Sequence, residues 1–200
     1  MATALGLVLN PEITLRIRDE IRHGELALYL AWPISPIWKW LLMAVGSRLF
    51  PTIGIIIALV SVVKAYGIQV HIGLTPVYMI AALLAIANAF MFNFCLELLI
   101  AFNAFWQAGT GSLYLLRTYV IGLLSGAIVP IALLPNFLQG MFQLIPFPYF
   151  MYFPIELIRA PDPVMVIQGL LGQMIWLTLI IAGTVWIWRI SLRSSYVPGI

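Results

Sequence analysis

The sequence predicts an all-α integral membrane protein with about four transmembrane helices, an amphipathic cytoplasmic helix near its start, and a re-entrant helical segment before the last span. Three observations predict it. Of the 200 residues, 63% are hydrophobic and only 8% are charged, with a mean hydropathy of +1.06, which a water-soluble globule of this size cannot hide. The apolar residues fall in runs that reach the roughly 20 residues a helix needs to cross a bilayer core, with no alternating ten-residue pattern of a membrane barrel. Finally, seven charged side chains are gathered in residues 10–36, NPEITLRIRDEIRHGELALYLAWPISP.

That charged stretch reads as a helix followed by a second, short apolar piece. Asn10 suits a cap, Pro11 the first helical position, and Glu12 the first turn. Ile13, Ile17 and Ile21 recur every four residues, while Glu12, Arg16, Asp19, Glu20 and Arg22 occupy other faces. Gly24 loosens the helix, and Leu26, Leu28 and Leu30 lead to a stop at Pro33 and Pro36. A helix resting on lipid is usually plainly basic. The mixed signs here point to a protein partner.

The chain divides at about residue 36 into this cytoplasmic segment, 1–36, and a transmembrane domain, 37–200. Spans are expected at about 37–66, 76–100, 113–129 and 164–188. Residues 130–163, PIALLPNFLQGMFQLIPFPYFMYFPIELIRAPDP, are too apolar for a solvated loop and too broken by proline for one crossing. Within them, 137–145 and 150–158 have helical spacing and read as short helices dipping into the outer leaflet; the alternative is an interfacial loop.

Basic residues set the orientation. With four spans, Arg16, Arg18, Arg22, Lys39, Arg48, Arg117, Arg189 and Arg193 share one side, against Lys64 and Arg159 on the other. Both termini are therefore expected in the cytoplasm of a multi-pass protein of the inner or plasma membrane. Trp38, Trp40, Trp106, Trp186 and Trp188 fall near the same ends, where interfacial aromatics belong. The first ten residues lack the basic region and cleavage site of a signal peptide.

Four motifs carry a resemblance: IRDEIRHGELALYLAWPIS at 17–35, FW at 105–106, LSGAIVPIALLP at 124–135, and LIPFPYFMYFPIELI at 144–158. In this order and spacing the chain resembles the permease subunit of a type-2 ABC transporter, of the prokaryotic six-span branch. The resemblance implies that the first motif contains the coupling helix that docks on a separate cytosolic ATPase. It also implies that the last two motifs flank and form re-entrant helices on the outer face. A second permease subunit, alike or different, would complete the pathway, and ATP and Mg would bind the partner ATPase, with no cofactor on this chain. Two departures stand out. The family places two further spans before the coupling loop, and it tends to have a basic residue where this chain has Trp32.

On this reading Ile17, Asp19, Glu20, Ile21, Arg22, Gly24, Glu25 and Leu26 form the ATPase-coupling surface. Mixed charges give such a surface register and specificity more than affinity. A carboxylate at membrane depth costs about 2.5–3.5 kcal/mol at the centre on insertion scales and is often functional. Glu97, with Asn88 and Asn93, is accordingly the candidate substrate path, and snorkelling to the near surface or helix–helix hydrogen bonding is the alternative. Gly122 and Gly126 form a small-xxx-small pair suited to close helix packing.

The remaining chemistry is exclusion. The single Cys95 forms no internal disulfide and reads as inert packing. His23 and His71 fall on opposite sides of the membrane, so no metal site is expected. No catalytic set assembles in one compartment and no complete phosphate loop is present. The expected function is export of an apolar or amphipathic substrate driven by the partner's ATP hydrolysis, with no catalysis by this chain and no nucleic-acid partner. The competing class is a non-transporting scaffold or assembly protein that recruits a cytosolic partner.

Overall fold

The computed structural model describes residues 13–65, 75–106, 110–124, 145–159 and 162–195. Among these, seven α-helices follow one another: α1 Thr14–Arg22, α2 Glu25–Leu30, α3 Pro36–Ala65, α4 Pro76–Phe102, α5 Thr110–Leu124, α6 Phe147–Arg159 and α7 Pro163–Ser195. A 3-10 turn, Asn103–Phe105, follows α4, and no strand occurs among the described residues. The protein is thus all-α, as its hydropathy requires.

Proline opens the long helices, because a missing N–H is harmless at the first helical position. Pro36 begins α3, Pro76 begins α4, and Pro163 begins α7. Asp162 caps α7, its Oδ2 accepting from the N–H groups of Val164 (3.1 Å) and Met165 (3.0 Å). Three stretches are long and apolar enough to cross a membrane: Pro36–Ala58, Pro76–Phe105 and Pro163–Arg193. They coincide with the expected first, second and fourth spans. The expected third span is described only in part: α5 starts at Thr110, and residues 125–129 lie outside the described residues.

The helices meet in two packing centres. At one end, Trp40 of α3, Phe102 of α4 and Trp188 of α7 form an aromatic cluster, with ring centroids 5.1–6.2 Å apart. Helix α1 lies over this end, burying Ile13 and Ile17 against Phe94, Leu98 and Ala101 of α4. The isoleucine stripe is therefore its inward face. Trp40 is fully buried, so it belongs to this core and not to the interfacial belt in which its position suggested it; Trp38, Trp106 and Trp186 remain exposed.

At the opposite end α6 occupies a groove between α4 and α7. Small residues make the groove: Ala81, Ala82, Ala85 and Ala89 on α4, Gly169 and Gly172 on α7. Phe150 stacks on Phe92 with centroids 3.8 Å apart, and Phe153 and Leu157 pack with the alanines. With 13 residues α6 is too short to span. It matches the expected short helix at 150–158; the one expected at 137–145 falls almost wholly outside the described residues. Helix α3, by contrast, leaves Leu49, Phe50, Ile53, Ile56 and Ile57 exposed beyond its first turns.

Candidate functional site

Helix α1 begins at Thr14, with Ile13 as its N-cap residue and no side-chain cap from its own neighbourhood. Asn10, Pro11 and Glu12, expected to start this helix, lie outside the described residues. A helix start leaves N–H groups unsatisfied and carries partial positive charge. Here the missing cap comes from another helix. The Thr14 N–H donates to Glu97 Oε2 at 2.8 Å, and the Thr14 hydroxyl donates to the same carboxylate. Glu97 is therefore an N-cap supplied from 83 positions away.

The same carboxylate holds α5. Arg117 Nη1 donates to Glu97 Oε1 at 2.7 Å, and Nη2 donates to Asn93 Oδ1 at 3.2 Å. Thr14, Asn93, Glu97 and Arg117 are all buried. A charge at this depth is tolerated only when paired and hydrogen-bonded, and here both carboxylate oxygens are occupied. Asn93 in turn donates to the Ala89 carbonyl at 3.0 Å. This closed network joins α1, α4 and α5 at one point.

A second anchor lies two turns along α1. Glu20 Oε1 accepts from Lys39 Nζ at 2.9 Å, and Oε2 accepts from the Trp40 indole N–H at 2.8 Å. Lys39 also sits over the Tyr29 ring, 3.2 Å from its centroid. So α1 is fastened at its start to α4, by the carboxylate that also holds α5, and to α3 further on. The Arg18–Asp19 pair, at 2.8 Å, is a surface contact between neighbours and adds little.

Of the eight residues assigned to the coupling surface, three point inward. Ile17 is fully buried, Leu26 is buried against the α3–α4 core, and Glu20 is engaged by Lys39 and Trp40. Ile21 packs partly against the same core. Asp19 is half-buried, and Arg22, Gly24 and Glu25 are exposed, together with His23. These last four form the corner between α1 and α2. Gly24 adopts φ +77°, a left-handed conformation that ends α1 and turns the chain, and one that favours glycine. Beside the corner an open cleft of about 610 Å³ is lined by Arg16, Asp19, His23, Glu25, Tyr29 and Lys39, among others.

The three candidate path residues belong to two separate networks. Asn93 and Glu97 are committed to Arg117 as above. Asn88 donates to Gln173 Oε1 at 3.4 Å, while Gln173 Nε2 donates to the carbonyls of Tyr149 (2.8 Å) and Ala85 (3.2 Å). Gln173, fully buried on α7, thus ties α4, α6 and α7 together. Sequence reasoning passed it over, although a lone amide in an apolar span is itself a signal. Gln173→Leu is expected to destabilise the bundle by about 1 kcal/mol, since membrane hydrogen bonds average less than their isolated strength. A thermal midpoint unchanged from the parent protein would refute that tether. Gly122 lies in α5, and Gly126 lies outside the described residues.

Among the described residues no group of three or more His, Cys, Asp or Glu side chains is placed to hold a metal. Cys95 is buried. What the geometry offers is mechanical: an exposed charged corner, and a helix behind it bonded to α3 and α4 and, through the shared Glu97 carboxylate, linked to α5. No curated protein and no solved structure matches the chain. A family model described as "ABC-2 family transporter protein" matches residues 3–197.

Proposed function

The chain belongs to the ABC-2 transporter family, as a multi-pass membrane permease, and we propose that α1 with the corner Arg22–Glu25 is where a separate cytosolic ATPase pushes on it. ATP and Mg would bind that partner, and this chain would contribute no catalysis. The corner then faces the cytoplasm, with both termini on that side of the inner or plasma membrane, as the distribution of basic residues favours. The proposed pathway lies between two permease subunits, and the proposed direction is export.

One observation carries the reading: α1 is bonded to α3 through Glu20 and to α4 through Glu97, whose carboxylate also holds Arg117 of α5, so a push on its exposed end reaches three membrane helices. A solvated surface helix needs no such fastening. The cleft beside it presents both signs of charge, which suits a partner that must be gripped in one register. An apolar or amphipathic substrate fits the described helices, because Asn88 is engaged by Gln173, Asn93 and Glu97 are engaged by Arg117, and the exposed faces are apolar.

The experiment separates the exposed charges from the buried one. Arg22→Glu combined with Glu25→Lys should leave folding and membrane insertion intact, while a co-expressed ABC ATPase no longer co-purifies in stoichiometric amount. Stimulation of its ATP hydrolysis by the permease should be lost with it. Glu20→Lys should instead lower the yield of folded protein, because it faces Lys39 with a second cation and strips the Trp40 indole of its acceptor. Stoichiometric co-purification of the Arg22/Glu25 double variant with normal stimulation would overturn the docking site. Failure of the unaltered chain to bind any ABC ATPase would favour the scaffold reading.

A further inference from the structure

We infer that α2 and the turn after it rest in the headgroup layer of the membrane, forming a lipid-contacting shelf beside the charged corner. Thirteen consecutive residues from Leu26 to Trp38, LALYLAWPISPIW, carry no charge. Only Leu26 of α2 is buried. Leu28 is 67% exposed, Trp32 60% and Ile34 58%, matching Leu42 at 69%, which lies within the first span. Without a membrane over them, these side chains would be an apolar patch open to water.

The patch also leads into the exposed apolar face of a helix long and apolar enough to cross a membrane. It runs through Pro33 and Ile34 to Trp38 and Leu42 at the start of α3. Trp32 is held by Tyr29, their rings edge-to-face at 5.6 Å, and an indole there has the amphipathic character that headgroup depth favours. Of the two charges that flank the strip, Glu25 belongs to the exposed corner, and Lys39 is bonded to Glu20 and sits over the Tyr29 ring.

A second occupant is conceivable, namely the ATPase itself. The observations favour lipid. A charge-free strip gives a protein partner nothing to set register, whereas the adjoining corner has Arg22, His23 and Glu25 for that purpose. A six-residue helix that buries one side chain has little to hold it, and a bilayer interface, always present, both covers its leucines and reinforces its backbone hydrogen bonds. The coupling segment thereby divides its labour: α1 and the corner meet the partner, and α2 floats on lipid as the pivot between them and α3.

The test uses the full chain in nanodiscs of phosphatidylcholine and phosphatidylglycerol, without any ATPase. In a Cys95→Ala background, single cysteines replace Leu28, Trp32 and Ile34, with Arg22 and Leu42 as aqueous and lipid references, and each carries a nitroxide. Labels at the three positions should lose collisions with a water-soluble nickel chelate and gain them with oxygen, approaching the Leu42 label. Collision rates like those at Arg22 overturn the shelf, and so does protection that arises only when an ABC ATPase is added. As a check without labels, Trp32→Phe should reduce the fraction of fluorescence quenched by brominated phosphatidylcholine; an unchanged fraction also overturns it. Because no ATPase is needed, loss of the shelf and loss of the docking site at the corner are read separately.

Discussion

Replacing Glu97 by alanine is expected to destabilise the bundle by about 3–5 kcal/mol, the usual result of leaving one member of a buried ion pair without the other. Arg117 would lose the counter-charge of Glu97 and keep neutral partners such as Asn93, and the Thr14 N–H would lose its cap. Helix α1 should come loose before the spans do, because its start has no other cap. The predicted observation is a drop in the thermal midpoint, together with faster amide hydrogen exchange across residues 14–22. Removing both charges should hurt less than removing one. In Glu97→Leu/Arg117→Leu the desolvation cost of the pair disappears along with its attraction, so most of the loss should be recovered, with a coupling energy on the order of 2–4 kcal/mol. If Glu97→Ala shifts stability by less than about 1 kcal/mol, the carboxylate is not what holds α1 to the membrane helices. If the double variant merely adds the two losses, the groups do not act as a pair.

That expectation rests on long-range partners, and these were the part of the molecule hardest to read from sequence. Local signals were plain: the spacing of Ile13, Ile17 and Ile21 gave α1 an apolar face, although Ile17 and Ile21, assigned to the partner surface, pack inward instead. Gly24 marked the weak point at its end, and the apolar runs near 37, 76 and 164 gave three long helices. Proline-broken hydrophobicity over 130–163 gave an expected short helix at 150–158, and the observed one, Phe147–Arg159, is likewise too short to cross. Pairing was not plain. Nothing in a one-dimensional pattern says that Thr14 meets Glu97, and helical spacing assigned Glu20 to a charged face although Lys39 and Trp40 draw it inward. Arg117 entered the charge balance as a topology signal, yet it is buried against Glu97. Carboxylates within a span can be flagged by their cost; their partners emerge only when helices are assembled.

Glycine to alanine at position 169 sets two effects of known sign against each other. Helix propensity alone favours alanine by about 1 kcal/mol. Packing opposes it, because a Cβ on Gly169 would stand 2.1 Å from Cε2 of Phe153, and one on Gly172 would stand 2.4 Å from Cε1 of Tyr149. Phe153 is itself buried against Ala81, Ala82 and Ala85, so its ring has little room to retreat. Overpacking of this kind typically costs about 1–3 kcal/mol, more than propensity returns, so Gly169→Ala should be net destabilising. The response should also be local. Helix α6 should lift from its groove, exposing residues 147–159 to exchange, while α1 at the far end keeps its protection. Truncating the ring reverses the sign: in a Phe153→Ala background the clash is gone, and Gly169→Ala should then stabilise by up to about 1 kcal/mol. The same cost in both backgrounds would mean that the glycines serve the helix backbone of α7 and not the seating of α6. A sign change would establish that two missing side chains on α7 are what let a helix of 13 residues lodge inside the bundle instead of crossing it.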